Sequence, residues 1–343
     1  MGVAGQQVVV GLDVGGTSCN ATVLTAAGEF LVDQMFETPS RVTEGPAIAL
    51  DVLAQALAQV LTSTGIPLAA VAAVGLDTPG PASPDGVLST RGATNFGDPA
   101  WHGFDFRGGL AERLALPVIY LNDANAAALY AHQVHFGLLA PERSSVAAVV
   151  GTGLGGGLVD RGQVVTGVAG QAGELGHVHI PMTGLLAEDQ PVPRCNCGFQ
   201  GDAESVASLT GIVNNLLPYW LTRYPDHDLA KVTPVREAAK QVRRYAEKGD
   251  RLALQIFEQQ AIALGRLFTI VANMTDPHAY FVGGGVVEAA PHFRDWFLAT
   301  VREHTVLRDE QAAVVEFALV PHRDMAGARG AALAAWSAVA SAG

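Results

Sequence analysis

A chain of 343 residues has room for one large domain or two of ordinary size, and with 49% apolar and 16% charged residues it carries material for a sizeable packed core. Its formal charge of −12, from 21 Lys and Arg against 33 Asp and Glu, repels a phosphate backbone; no local basic patch offsets it, so nucleic acid is excluded as a partner. No basic residue precedes Arg41, so neither a secretory nor a transit leader is expected. Apolar runs such as Ile66 to Leu76 fall short of a membrane span, and a cytoplasmic protein with no membrane partner is the expectation.

Read in chain order, the sequence predicts three strands first: Gln7 to Val14, Ser18 to Thr25 after a glycine turn, and Glu29 to Glu37 after Ala27-Gly28. A helix from Thr43 to about Thr62 follows, with apolar residues at three- and four-residue intervals. Ala69 to Leu76 reads as a buried strand ending at Thr78-Pro79-Gly80, Gly108 to Leu116 as a helix, Pro117 to Leu121 as a strand, and Ala124 to about His135 as a helix. The pattern then restarts with a strand over Ser145 to Gly151, a glycine turn, and a strand over Gly156 to Val159. Two glycine turns on hairpins, one in each half, point to a duplicated unit with a phosphate-contacting loop in each copy. Helices are predicted over Ser205 to Thr222, Pro234 to Glu247, Asp250 to about Met274 and Ala326 to Val339, with strands at Ala279 to Val282 and Val314 to Leu319. Strands alternating with helices make the chain α/β.

A Walker loop needs Gly-Lys-Ser/Thr, and none of Lys231, Lys240 and Lys248 follows a glycine. A dinucleotide fingerprint is echoed by Gly151-x-Gly-x-Gly-Gly, but a strand rather than a helix is expected next. What remains is phosphate binding by backbone amides in tight turns, where positive-φ glycines aim successive N–H groups at one anion. Asp13 stands at the mouth of the first turn, where a carboxylate suits Mg²⁺, beside Gly15, Gly16 and the hydroxyl of Thr17. Gly151, Thr152 and Gly153 form the second turn. A third cluster, Gly283-Gly284-Gly285, follows a strand and offers bare backbone to an adenosine.

Asp13-Val-Gly-Gly-Thr17, Asn122-Asp123-Ala-Asn-Ala-Ala-Ala128, Gly151-Thr-Gly-Leu-Gly-Gly-Gly157, Gly173-Glu-Leu-Gly-His177 and Cys195-Asn-Cys-Gly-Phe-Gln-Gly201, in this order over nearly the whole chain, resemble the ROK family of sugar kinases and repressors. The resemblance implies transfer of a phosphoryl group from ATP to a hexose hydroxyl, the glucose 6-hydroxyl first among them. Other sugars or a cyclitol (N-acetylhexosamine, mannose, fructose) remain open as acceptors and polyphosphate as donor, and a non-catalytic sugar-binding protein is the alternative of a different class. It further implies that Asp123 is the general base and that Asn95, Asn122, Glu174, His177 and Glu204 hold the sugar. On local grounds alone Asp123 is an N-cap residue, Glu174 a surface carboxylate and His177 a core histidine. Family repressors carry a helix-turn-helix before the kinase body, and a first phosphate turn at Asp13 leaves no room for one. A homodimer or homotetramer is expected.

Cys195 and Cys197 are too close for an easy disulfide and are spaced like metal ligands, whereas Cys19 reads as a buried apolar residue. The resemblance implies structural zinc held by His177 and three cysteines, but the third cysteine position is Asp202. Zinc accepts carboxylate oxygen, so His177, Cys195, Cys197 and Asp202 still make a four-ligand set, of lower affinity than with three thiolates. The fold the resemblance implies is the actin-like ATPase, ribonuclease-H-like type. Two α/β domains surround a cleft, the smaller over 1–121 plus 322–343 and the larger over 122–321.

Overall fold

The computed structural model describes residues 7–80, 82–89 and 96–342. Asn95 lies outside the described residues. The chain opens with β1 (Val8–Val14), β2 (Ser18–Thr25) and β3 (Phe36–Pro39), then α1 (Pro46–Thr64), β4 (Val71–Thr78), α2 (Phe106–Leu114), β5 (Val118–Asn122) and α3 (Asp123–Phe136). Next come β6 (Ser144–Val150), β7 (Leu154–Asp160), β8 (Gln163–Val164), α4 (Leu209–Gly211), α5 (Leu217–Arg223), α6 (Val235–Ala246) and α7 (Arg251–Thr275). The chain closes with β9 (Ala279–Gly284), α8 (Pro291–Glu303), α9 (Asp309–Ala312), β10 (Glu316–Leu319) and α10 (Arg323–Ala342).

The two sheets share one strand order. The first runs β3-β2-β1-β4-β5 and the second, read from its other edge, β8-β7-β6-β9-β10. In each, a strand leads through a glycine turn to its neighbour, and two further strands lie parallel to it on the other side: β4 and β5 in the first sheet, β9 and β10 in the second. The duplication read from the two glycine turns is therefore a duplication of topology.

Two compact units result, one of residues 1–142, 157–173 and 321–343, the other of 143–156 and 174–320. Helix α3 lies in the first of these units. The reason is close helix packing: a Cβ on Gly330 of α10 would lie 1.9 Å from the Ala126 carbonyl oxygen, and one on Gly157 would lie 2.4 Å from the Ala128 methyl. Small residues let α3 and α10 touch backbone to backbone.

In the first unit, α10 seats on the sheet at a matching glycine pair. Gly11 and Gly75 are partners in the parallel β1–β4 ladder, and added Cβ atoms would lie 1.9 Å from the Ala328 and Ala331 carbonyl oxygens. On the opposite face α1 buries Ala49, Val52, Leu53, Ala56, Leu57, Val60 and Leu61. Pro46 opens it and Gly65, at φ 70, ends it in the left-handed conformation. By length and apolar composition alone α1 would cross a membrane, but its apolar stripe is core. The third strand is shorter and later than the sequence suggests. After the turn at Gly28 a single bridge joins Leu24 to Phe30, and the segment then peels away. There Arg329 lies over the Phe30 ring at 4.9 Å and donates to the Val32 carbonyl at 3.1 Å.

In the second unit, the helix predicted from Ser205 begins at Leu209. Residues 202–208 are held instead by side chains: Ser205 Oγ donates to the Asp202 carbonyl at 2.6 Å, and Ser208 Oγ to the Glu204 carbonyl at 2.7 Å. The helical run from 209 to 223 passes through a π-helical turn, Ile212–Leu216. Helix α8 was not anticipated. It starts at Pro291 and buries Phe293, Phe297 and Val301 at four-residue spacing.

Candidate active site

In the first unit, three aspartates stand at the C-terminal ends of adjacent parallel strands, where α/β sheets place ligands. Asp13 is next to last in β1, Asp77 next to last in β4 and its register partner, and Asp123 directly follows β5. Asp77 is fully buried, and neither of its oxygens has a hydrogen-bond donor in reach among the described residues. Burial above all, then the charges of Asp13 and Asp123, push its carboxyl well up from the ordinary range. Burial also raises Asp13, against hydrogen bonds to Asp77 and Asn20 that lower it. Two acceptor-only groups side by side need a proton or a cation between them. Asp77 was missed by sequence reasoning although a signal exists: Gly11-Leu-Asp13 recurs as Gly75-Leu-Asp77, in register.

Asp123 is not the N-cap of α3. Asn122 is, its Oδ1 accepting the Ala124 N–H at 2.9 Å from an extended backbone. This leaves Asp123 exposed in the first helical turn, its Oδ1 also near the Ala124 N–H at 2.7 Å. The Asn122 amide nitrogen points to the loop after β4, where a Cβ on Gly80 would lie 2.7 Å from it. Close by, the Thr78 hydroxyl and Tyr120 hydroxyl are 2.8 Å apart.

The turn of residues 15–17 is closed by the Gly15 N–H donating to the Ser18 carbonyl at 2.8 Å, and Thr17 is exposed. In the second unit the turn after β6 is closed by the Gly151 N–H on the Gly153 carbonyl at 2.9 Å. Thr152 is exposed, and its carbonyl accepts both the N–H and the hydroxyl of Thr210, at 3.0 and 2.8 Å. Gly15, Gly151 and Gly153 do not adopt positive φ, so the mirror-image-backbone argument for these turns is corrected. The requirement at Gly153 is room: a Cβ there would lie 2.4 Å from Glu204 Oε2. Gly283 and Gly284 pair with Val149 and Val150 of β6. Gly284, at φ 89, lies so close to the Val150 carbonyl that a Cβ would fall 1.9 Å from its oxygen, so the fold itself demands this glycine. Gly285 is covered by Arg243 of α6, which donates to its carbonyl and pairs with Glu288 at 3.0 Å, a contact no sequence motif announced.

The same unit gathers Glu174, His177 and Glu204 with the cysteines. Glu174 precedes the short 3₁₀ turn Leu175–His177 and is half-buried; burial raises its carboxyl, with His177 pulling the other way and Glu204 adding to the rise. His177, Cys195, Cys197 and Asp202 each bring one ligand atom within 4.8 Å of the others. His177 Nδ1 is 3.3 Å from Asp202 Oδ2 and 4.0 Å from Cys195 Sγ, and Cys197 Sγ is 3.7 Å from Asp202 Oδ2. A tetrahedral zinc with ordinary Zn–N and Zn–S bonds separates its ligands by about 3.3–3.8 Å; the closer pairs lie in that span, and the wider ones, out to 4.8 Å, would draw in by about 1 Å or less to close on the ion. Asp202 is fully buried and divides its oxygens, Oδ2 facing the cluster and Oδ1 accepting the Ser205 N–H at 2.9 Å. Ligand and cap are thus compatible roles. The Asp202 carboxylate holds His177 up at about 9, and burial pushes the Cys195 thiol well above its usual range.

Among known proteins, the chain is 34% identical over 297 residues to a glucokinase of Halalkalibacterium halodurans, covering 86% of this chain and 84% of that one. Among solved structures, the ROK hexokinase of Thermus thermophilus superposes with a TM-score of 0.75 at 29% identity, over 98% of this chain and 100% of that one. A ROK family glucokinase from Streptomyces griseus, solved in complex with glucose and AMPPNP, superposes with a TM-score of 0.69 at 26% identity, over 96% and 99%. With its two sheets of one topology, the fold is that of the actin-like ATPases. The ROK family model matches residues 9–337, nearly all of the described chain, and the protein belongs to the ROK family.

Proposed function

We propose that the protein is an ATP-dependent sugar kinase acting on the 6-hydroxyl of glucose, with Asp123 as general base. The observation that carries this reading is the division of labour at the start of α3. Asn122 takes the capping role, and the carboxylate of Asp123 stands exposed in the first turn of α3, directly after a parallel strand, with Oδ1 within reach of the Ala124 N–H. As the acceptor oxygen attacks the γ-phosphorus, its proton passes to Asp123, the bond from the γ-phosphorus to the bridging oxygen breaks, and ADP leaves.

Asn122 through its amide nitrogen, Glu174, Glu204, and His177 through Nε2 supply hydroxyl partners; Asn95 is assigned with them by resemblance. The turns at Gly15-Gly16-Thr17 and Gly151-Thr152-Gly153 present N–H groups and hydroxyls to phosphate, and Gly283, Gly284 and Gly285 present backbone to the adenosine. Asp13 is the residue for Mg²⁺, which supplies charge neutralisation along the triphosphate. Zinc at His177, Cys195, Cys197 and Asp202 has a structural role, fixing the loop that carries Glu204. We place the enzyme in the cytoplasm as a homo-oligomer.

A panel of hexoses, N-acetylhexosamines and cyclitols, with ATP or polyphosphate as donor, tests the reading through coupled ADP release and sugar-phosphate product. Glucose with ATP is expected to give the highest kcat/KM. A higher value for another acceptor or donor reassigns the substrate, and no product with any pair removes the kinase.

A further inference from the structure

The segment from Asp202 to Thr210 touches the turn after β6 at several points. The Leu209 N–H donates to the Gly151 carbonyl at 2.9 Å, and Thr210 holds the Thr152 carbonyl through two hydrogen bonds. Between these contacts and the cysteines stands Glu204, with both carboxylate oxygens engaged. Oε2 accepts the Leu154 N–H at 2.8 Å, at the base of the turn, and Oε1 accepts the Cys195 thiol at 3.2 Å. The backbone around it is equally constrained. The Glu204 N–H donates to the Gly176 carbonyl at 2.8 Å, and Gly176 lies against the turn so closely that a Cβ would fall 2.3 Å from the Leu154 carbonyl oxygen. Gly153 completes the fit, since any side chain there would collide with Glu204 Oε2.

We propose that Glu204 is a positioning residue that ties the phosphate turn to the His177–Cys195–Cys197–Asp202 cluster, so that metal occupancy of the cluster sets affinity for nucleotide phosphates. The inference rests on reading residues 151–154 as a phosphate turn and adds to Glu204's role toward the sugar. The physical reason is preorganisation. A turn binds an anion through amides already aimed at it, and here the amide at its base is held by Glu204, whose backbone lies two residues after Asp202 and is bonded to the Gly176 carbonyl, one residue before His177. Metal bonds to His177 and Asp202 would fix the segments on both sides of that backbone bond, beyond the 3.3 Å His177–Asp202 contact that joins them otherwise, while Cys195, a thiolate once it binds metal, would release Glu204 Oε1. Loss of the metal therefore loosens the turn although no ligand atom belongs to it.

The test is MgADP affinity by titration calorimetry on the full chain without sugar, zinc-loaded and after zinc removal by a chelator. Wild type is expected to lose about 10-fold in affinity on zinc removal, within the ordinary span of coupling between sites. Glu204→Ala, lacking both acceptors, is expected to bind MgADP about 10-fold more weakly when zinc-loaded and to lose less than about 2-fold more on zinc removal. Glu204→Gln keeps one acceptor for the Leu154 N–H and is expected to stay within about 3-fold of wild type. If the Ala variant fails to fold, hydrogen exchange at the Leu154 amide of wild type decides, and is expected to speed up on zinc removal. The proposal is overturned by wild-type affinity indifferent to zinc, by Glu204→Ala binding as wild type or still responding to zinc, by exchange unchanged, or by a chain that takes up no zinc. A chain that binds no MgADP in any form fails the kinase reading itself, whereas normal MgADP binding blind to zinc and Glu204 fails the coupling alone.

Discussion

Asp123 acquires its significance from Asn122, because the cap that secures α3 lies one residue earlier. Asp123→Asn is therefore expected to leave the helix intact and to lower kcat by roughly 10²–10⁴-fold with little change in sugar affinity, since the amide keeps the shape but takes no proton. Steady-state kinetics with near-normal turnover would remove the assignment. Asp77 carries a prediction in the opposite sense. Its folded carboxyl titrates above the unfolded value near 3.8, so the native state binds the extra proton and stability falls as pH climbs through that window. Without Mg²⁺, Asp77→Asn is expected to be more stable than wild type near pH 7 by about 1–3 kcal/mol, with the gap closing toward about pH 4. Urea unfolding across pH measures it. A variant less stable than wild type throughout would mean that the Asp13–Asp77 pair is held by something other than a proton. Sequence reasoning found Asp13 and passed over Asp77 because the first lies in a glycine-rich motif. The second is visible only when β1 and β4 are laid side by side, as the repeated Gly-Leu-Asp allows.

At the scale of elements, what was legible in sequence and what was not follow from how each element is held. Strands β1, β2 and β6 declared themselves through β-branched runs ending in glycine turns, and α7 through its long apolar periodicity. The 202–208 segment has helix-compatible composition, but Asp202 and Glu204 are committed to the cluster and the turn, and that tertiary demand overrides local propensity. Helix α8 was overlooked although Pro291 and the Phe293, Phe297, Val301 spacing signal it. The glycine turns were located correctly and explained wrongly, which changes the reason behind a test. Gly153→Val is expected to abolish tight MgATP binding because Glu204 Oε2, tied to the Leu154 N–H at the base of the turn, stands where the side chain would go, with φ playing no part. Unaltered ATP affinity by calorimetry would show that the turn relaxes. In the loop beside it, purified protein is expected to carry about one zinc per chain. Asp202→Ala should surrender it readily to a chelator and Asp202→Cys should retain it longer, both read by metal analysis; protein without metal but fully active would leave Asp202 as the cap of Ser205 alone.

Across the whole molecule, the first sheet is finished only by the last segment of the chain. Helix α10 follows β10 of the second unit, yet it lies on β1 and β4 of the first, and Gly327 lies so close to Asp13 that a Cβ there would fall 2.7 Å from the carboxyl carbon. Residues more than three hundred positions apart in sequence thus form one face, and the first sheet has this face covered only where α10 lies on it. The contact depends on Gly11 and Gly75 as a pair, because the helix meets the sheet at backbone distance and the atoms in the way are carbonyl oxygens of its own interior turns. A side chain cannot rotate out of such a collision, so the helix must lift or the strand must bend. Gly75→Ala, the smallest substitution available, is accordingly expected to cost about 3 kcal/mol, near the upper end for overpacking, even though alanine suits a buried strand by composition. Because Asp13 shares the face, the same variant should also bind Mg²⁺-nucleotide more weakly while zinc content, which belongs to the other unit, stays at the wild-type level. Thermal unfolding and metal analysis of one preparation read both effects. Wild-type stability in Gly75→Ala would show that α10 accommodates a methyl group at this seat, and zinc lost together with stability would show that the two units unfold as one.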